Sequence, residues 1–187
     1  MACKGWQVGQ TPGRIASCGI AAATGVDEFS VFENGQDFEI GPFAVKPFSI
    51  PHDTSDPVGF LVADGESRYF HATDIGTPLE SIGANLSEAD IATLESNHDS
   101  VLLRRSGRPL SLIQRIAGPR GHLSNDQACD LVRRFASPRL RKLALAHLSR
   151  DCNEPHVAEG AMRTMLGEIG RTDIELRILR QNEIVEI

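Results

Sequence analysis

The apolar runs in this chain are short, and five of its six histidines stand where those runs stop. The junctions read Ile50-Pro-His52-Asp53, Phe70-His71-Ala-Thr-Asp74-Ile-Gly76, Glu95-Ser-Asn97-His98-Asp99, Gly121-His122-Leu-Ser124-Asn125 and Leu145-Ala-His147-Leu-Ser149. A chain built this way folds into brief strands and helices with polar loops at their ends. Imidazoles and carboxylates delivered from such ends can converge on a divalent cation.

The bulk of the sequence sets the frame. With 187 residues, 41% of them hydrophobic and 24% charged, residues 1–187 suffice for one globular domain with a real core. A formal net charge of −6 argues against a protein that coats polyanions generally, although a local basic groove is compatible with it. Aromatic residues make up 5%, too few for an extended base-stacking platform. Cys3, Cys18, Cys129 and Cys152 form no C-x-x-C pair, and residues 1–187 read as having neither a leader segment nor a long apolar span. A reduced, cytoplasmic setting without membrane contact is the expectation.

Periodicity gives a mixed α/β order. Thr11-Pro12-Gly13 reads as a turn before a short helix from Ile15 to Ala23. Loose alternation from Phe38 to Ile50, broken at Gly41-Pro42 and Pro47, reads as strands joined by a tight turn. Val58 to Ala63 and Tyr69 to Thr73 flank Asp64-Gly65-Glu66-Ser67 as a hairpin. Pro78 to Leu86 reads as a helix, and Ile91 to Leu94 as a buried strand. Ser124-Asn-Asp-Gln127 has capping-box spacing ahead of Ala128, Leu131, Val132 and Phe135. Leu143 to Ala146 reads as a strand, Val157 to Ile169 as an amphipathic helix ending near Gly170, and Ile174 to Ile187 as a strand pair turning at Gln181-Asn182.

Three of these junctions form a metal-ligand set: His52 and His147 offer nitrogens, and Asp74 offers a carboxylate able to bridge two cations. Gly76, just beyond Asp74, lets backbone or ligand come close. Asn97 with His98, and His122 with Ser124 and Asn125, suit substrate positioning or proton donation to a leaving group. Each has a plainer alternative: a turn or cap for Asp74, a capping network around Ser124 and Asn125, and satisfied core or surface imidazoles for the histidines. His71 reads as structural or as support to a ligand, and His156 as a solvated surface group. Arg104, Arg105, Arg108, Arg115, Arg120, Arg133, Arg134, Arg139 and Arg141 read mostly as solvated helix faces, with those near Gly118-Pro-Arg-Gly-His122 placed to grip phosphates.

Taken in order, Pro51-His-Asp53, Ala72-Thr-Asp-Ile-Gly76, Glu95-Ser-Asn-His-Asp99, Arg115-Ile-Ala-Gly118, Gly121-His-Leu-Ser-Asn125 and Leu145-Ala-His-Leu-Ser149 with Asn153 resemble the metallo-β-lactamase-fold hydrolases of the WalJ/YycJ exonuclease type. More distantly they are similar to the tRNA 3′-processing ribonuclease RNase Z. The resemblance runs from about Trp6 to about Gly170. It implies an αββα sandwich with metal at the rim of its two sheets, and phosphodiester hydrolysis of nucleic acid or a smaller phosphodiester. By motif position it makes His52, Asp74 and His147 ligands of zinc or manganese, and His122 the group that protonates the leaving oxygen. Asn97 and His98 match the same pattern.

The resemblance also implies an upstream His-x-His-x-Asp-His string, and the chain contains none. The chain therefore reads as the C-terminal portion of such a fold, holding at best one cation, with an open strand edge and exposed apolar surface. Homodimerisation or a complementing N-terminal fragment would cover that edge. Two function classes follow: a phosphodiesterase or exonuclease whose remaining ligands come from elsewhere, and a non-catalytic remnant or binding module that keeps the loops. In a third, purely structural reading, the histidines only satisfy buried hydrogen bonds.

Overall fold

The computed structural model describes residues 32–180 and Glu186. The expected turn at Thr11-Pro12-Gly13, the expected helix from Ile15 to Ala23 and the expected turn at Gln181-Asn182 lie outside the described residues.

Seven strands, β1 (Phe38–Ile40), β2 (Phe43–Ser49), β3 (Val58–Ala63), β4 (Arg68–Ala72), β5 (Ile91–Glu95), β6 (Lys142–Ala146) and β7 (Glu175–Ile178), form one sheet in chain order. The first four run antiparallel, with short turns between β1 and β2 and between β3 and β4 and a longer loop, residues 50–57, between β2 and β3. From β4 onward the pairing is parallel, so each connection must cross over, and it does so through helices. These are α1 (Glu80–Ser87) before β5, then α2 (Ser100–Arg105), α3 (Leu110–Ile116) and α4 (Asn125–Phe135) before β6, and α5 (Pro155–Glu168) before β7.

Alternation decides which face is covered. Phe70, Ala92, Leu143 and Leu176 stand side by side across four strands, and Ala72, Leu94, Leu145 and Ile178 form the next row. Both rows join a core with Ile82 and Leu86 of α1, Leu131 and Val132 of α4, and Met162, Met165 and Leu166 of α5. Phe48 stacks on Phe70 with centroids 5.4 Å apart, and a Cβ on Gly59 would fall 2.5 Å from the Phe48 ring, so glycine is what admits that ring. The expected breaker Pro47 lies inside β2, where pairing with β1 has already stopped at Val45; among the described residues that side of the strand has no ladder bond to lose.

The capping box expected at Ser124 is present. Ser124 accepts from Gln127 N–H while the Gln127 side chain returns the bond to Ser124 N–H. Asp99 caps α2 through Val101 and Leu102 N–H, each at 2.8 Å. One expectation changes: α2 and α3 left no mark on the periodicity, because α2 buries Leu103 alone and α3 buries nothing. β7 pairs in parallel with β6, and the second strand expected after Gln181-Asn182 lies outside the described residues. Among the described residues no helix is long and apolar enough to cross a membrane, and Cys129 and Cys152 are both free.

Candidate metal centre

Because β4, β5 and β6 are parallel, their carboxyl ends meet at one edge of the sheet, and each sends a side chain to it. Asp74 follows β4 by two residues, Glu95 is the last residue of β5, and His147 is the first residue after β6. Asp74 and His147 turn the chain there through left-handed backbone, with φ of 61° and 58°. Outside glycine that conformation costs of order 1–3 kcal/mol and concentrates at functional sites.

Glu95 organises the cluster, and it is 0% exposed. Its Oε1 accepts from His147 Nδ1 at 2.7 Å and from His122 Nδ1 at 2.8 Å. Its Oε2 accepts the backbone N–H groups of Ile75 at 2.7 Å and Leu123 at 3.1 Å. Burial alone pushes the carboxyl up, but the bonds from His122 and His147, with the His122 charge and the Ile75 amide, together hold the group below its ordinary 4.5. The same hydrogen bond to Glu95 raises His147 against the opposing effect of burial. With a proton fixed on Nδ1 of both rings, their Nε2 atoms are left to supply the lone pairs.

His52 arrives by another route. Gly76 N–H donates to Pro51 O at 2.7 Å, which ties the His52 loop to the Asp74 loop. A Cβ on Gly76 would sit 2.4 Å from Pro119 O, and one on Gly121 would sit 2.1 Å from Ile116 O, so both glycines are needed where the Gly118–His122 segment crosses. His52 Nδ1 then meets Gly121 O at 3.0 Å, and its Nε2 faces Asp53 Oδ1 and Asp74 Oδ1, each at 3.5 Å. His147 Nε2 lies 3.8 Å from Asp74 Oδ1. The ring centroids of His52 and His122 are 5.0 Å apart, and those of His122 and His147 are 5.1 Å apart.

The structure thus brings His52, Asp74, His122 and His147 to the wall of one cleft of about 290 Å³, with Asp53, Leu112, Arg115, Ile116 and Gly121 completing it. Asp74, Glu95, His122 and His147 offer ligand atoms that all lie within 4.8 Å of one another. The donor set fits a divalent cation: imidazole nitrogens with fixed protonation, an aspartate carboxylate at the centre, and a buried acceptor behind the rings.

Asn97 and His98 are placed differently, outside this cleft. Asn97 Nδ2 donates to His147 O at 2.8 Å, and its backbone bonds Leu123 and Ser149, so it ties three loops together. His98 is 2% exposed, pairs its backbone with Asn125 and Ser124, and leaves a buried Nδ1 without a partner. His71 sits mid-strand beside the Tyr69 hydroxyl at 3.3 Å, and His156 is exposed beside Glu154. Among the arginines singled out in the sequence, Arg115 lines the cleft, while Arg108, Arg133, Arg134 and Arg139 pair with carboxylates elsewhere.

Glu95 was passed over as a site residue, although one signal marked it. A carboxylate ending an apolar strand, next to two others that deliver site residues, must be buried and therefore partnered.

Comparison with known proteins agrees with this architecture. The family described as "Beta-lactamase superfamily domain" matches residues 13–147. Exodeoxyribonuclease WalJ of Streptococcus pneumoniae is 28% identical over 144 residues, covering 77% of this chain and 52% of that protein. Exodeoxyribonuclease YycJ of Bacillus anthracis is 27% identical over 144 residues, covering 77% of this chain and 54% of that protein. The chain spans about half the length of these curated relatives. Among solved structures, the metallo-beta-lactamase fold protein YhfI from Bacillus subtilis aligns over 80% of this chain and 52% of its own, with TM-score 0.58 and 17% identity. Zn²⁺-bound PqqB from Methylobacterium extorquens aligns over 92% of this chain and 64% of its own, with TM-score 0.63 and 14% identity.

Proposed function

This chain belongs to the beta-lactamase superfamily, and from that membership together with its histidine–carboxylate cluster we propose that it carries part of a divalent-metal-dependent phosphodiesterase centre acting on nucleic acid. One observation carries the reading. His122 and His147 present Nε2 atoms fixed by Glu95, His52 presents one fixed by Gly121 O, and all three rings surround Asp74. The likeness to two exodeoxyribonucleases supports a nucleic-acid substrate.

In this reading His52, Asp74 and His147 hold the cation, zinc or manganese. When bound, a divalent cation supplies Lewis-acid polarisation of the phosphoryl group and activation of water. The remaining work falls to the chain's own groups. Glu95 keeps the His122 and His147 rings aligned and their tautomers set. His122, which keeps its Nδ1–H on Glu95, acts in its doubly protonated form when it donates from Nε2 to the departing oxygen, which spares that oxygen a full negative charge. Asn97 holds the His147 backbone from behind, and so bears on geometry rather than on the reacting atoms.

Metal content of the purified chain tests this directly. Loading with Mn²⁺ or Zn²⁺ followed by desalting should leave close to one equivalent, and Asp74→Asn should remove it. With the missing ligands supplied by a complementing N-terminal fragment, an activity assay on 5′-phosphorylated single-stranded DNA should show metal-dependent release of nucleotides that His122→Ala abolishes. A chain that retains no metal under these conditions is instead a binding module that keeps the loops of the fold.

A further inference from the structure

α3 contributes nothing to the core, since none of its residues is buried, yet Leu112, Arg115 and Ile116 from this short helix line the cleft. Its tie across the cleft mouth is an ion pair. Arg115 Nε donates to Asp53 Oδ2 at 2.7 Å, and Nη2 donates to the same oxygen at 2.6 Å. The other Asp53 oxygen faces His52 Nε2 at 3.5 Å. One carboxylate therefore spans the gap between a guanidinium and the imidazole edge of the cation site.

That is where an anion with two oxygens is accommodated, one turned to the histidine cluster and one to the arginine. We propose that Arg115 grips a non-bridging phosphate oxygen of the substrate, and that Asp53 is an internal stand-in anion which the phosphate displaces. The chemistry fits the partner. A guanidinium has five donors in a planar fork and binds phosphate at two points, and Asp53 occupies only its Nε and Nη2. The Arg115 side chain is 70% exposed, so its pair with Asp53 is of the weak, solvent-screened kind that a phosphate ester gripped at two points can replace. Leu112 and Ile116 supply an apolar wall beside the bound phosphate, suited to a sugar or base edge. The ligand class is a phosphate mono- or diester. The inference rests on the phosphodiesterase reading for the identity of that ester, and on the geometry alone for the anion subsite.

The test separates the two. Fluorescence anisotropy of a labelled 5′-phosphorylated oligothymidylate, recorded in EDTA, reads anion binding without metal or turnover, and inorganic phosphate serves as competitor. Arg115→Ala should weaken binding about tenfold and lower the salt slope by about one, since one phosphate contact is lost. Arg115→Lys should recover only part of the affinity, because the charge returns without the fork. Asp53→Asn should move the other way and tighten binding several-fold by removing the competing anion. Arg163→Ala, which opens an exposed pair with Glu159 on α5, should change nothing. The proposal is overturned when Arg115→Ala leaves binding unchanged, when Asp53→Asn weakens it, or when the parent chain fails to bind the oligonucleotide. Opposite-signed effects in a chain that takes up no Mn²⁺ would keep the anion subsite and remove the hydrolase reading. Full Mn²⁺ uptake with a flat Arg115 response would do the reverse.

Discussion

Glu95 Oε1 lies 2.7 Å from His147 Nδ1, so a carboxylate with no solvent exposure holds the ring of a side chain that sits partly in the open. All four donors around Glu95 point at it, two imidazole and two backbone. Glu95→Gln keeps the shape but brings an NH₂ group into a shell made only of donors. At least one buried N–H then loses its acceptor, a loss of about 1–3 kcal/mol in unfolding free energy. The rings also lose their fixed tautomers, and metal affinity should fall by roughly 10- to 100-fold. Urea titration and competition with a metallochromic chelator measure the two effects separately. A Glu95→Gln chain that binds metal as tightly as the parent would show that the carboxylate serves folding alone.

Asp74 separates backbone strain from ligand chemistry. Its φ of 61° suits aspartate and asparagine, whose short polar side chains bond locally, and excludes β-branched residues. Asp74→Asn should therefore unfold within about 0.5 kcal/mol of the parent while losing the cation. Asp74→Val should lose the cation and also about 1–2 kcal/mol of stability. Equal stability for the two variants in thermal melts would mean that the left-handed turn is not strained.

Much of this is legible in the residues alone. The strand order from Phe38 to Ala72, the box at Ser124 and the loops bearing His52, Asp74, His122 and His147 all follow from alternation, capping chemistry and turn residues. What stayed hidden depends on long-range contact. α3 has no buried face to imprint a period on its sequence. Asn97 and His98 sit in a motif that looks catalytic, and only the folded chain places Asn97 Nδ2 on the His147 backbone and His98 in the interior, outside the cleft lining. Glu95 acquires its role only when β5 falls between β4 and β6, which local sequence does not encode.

Gly76 is a position where one methyl group should disturb the site from outside it. An added Cβ would lie 2.4 Å from Pro119 O and 2.5 Å from the Arg120 Cα, both backbone atoms with no flexible end to yield. Gly76→Ala must push back the Gly118–His122 segment, and that segment carries His122 and the carbonyl holding His52. The expected cost is about 1–3 kcal/mol, with metal binding weakened although no ligand has changed. Unaltered metal affinity in a destabilised Gly76→Ala chain would show that the crossing segment tolerates displacement.

Asp90 supplies a pH dependence outside the cleft. It stands just before β5, where its Oδ2 accepts Arg68 N–H and Arg139 Nη2, each at 2.9 Å, while its backbone oxygen accepts Arg141 N–H at 2.8 Å. Burial pushes its carboxyl up, but the hydrogen bond from Arg139, the Arg68 amide and the charges of Arg139 and Arg141 together hold it below 3.8. A carboxylate whose native pKa is depressed stabilises the fold above its unfolded value, and that contribution fades as pH falls toward the native one. Asp90→Asn should therefore be less stable than the parent by a constant margin from about pH 7 to about pH 5, and the margin should shrink on further acidification. Urea midpoints across that range measure it. A margin that widens as the solution is acidified would reverse the sign of the linkage and mean that Asp90 is not held ionised by its arginine partners.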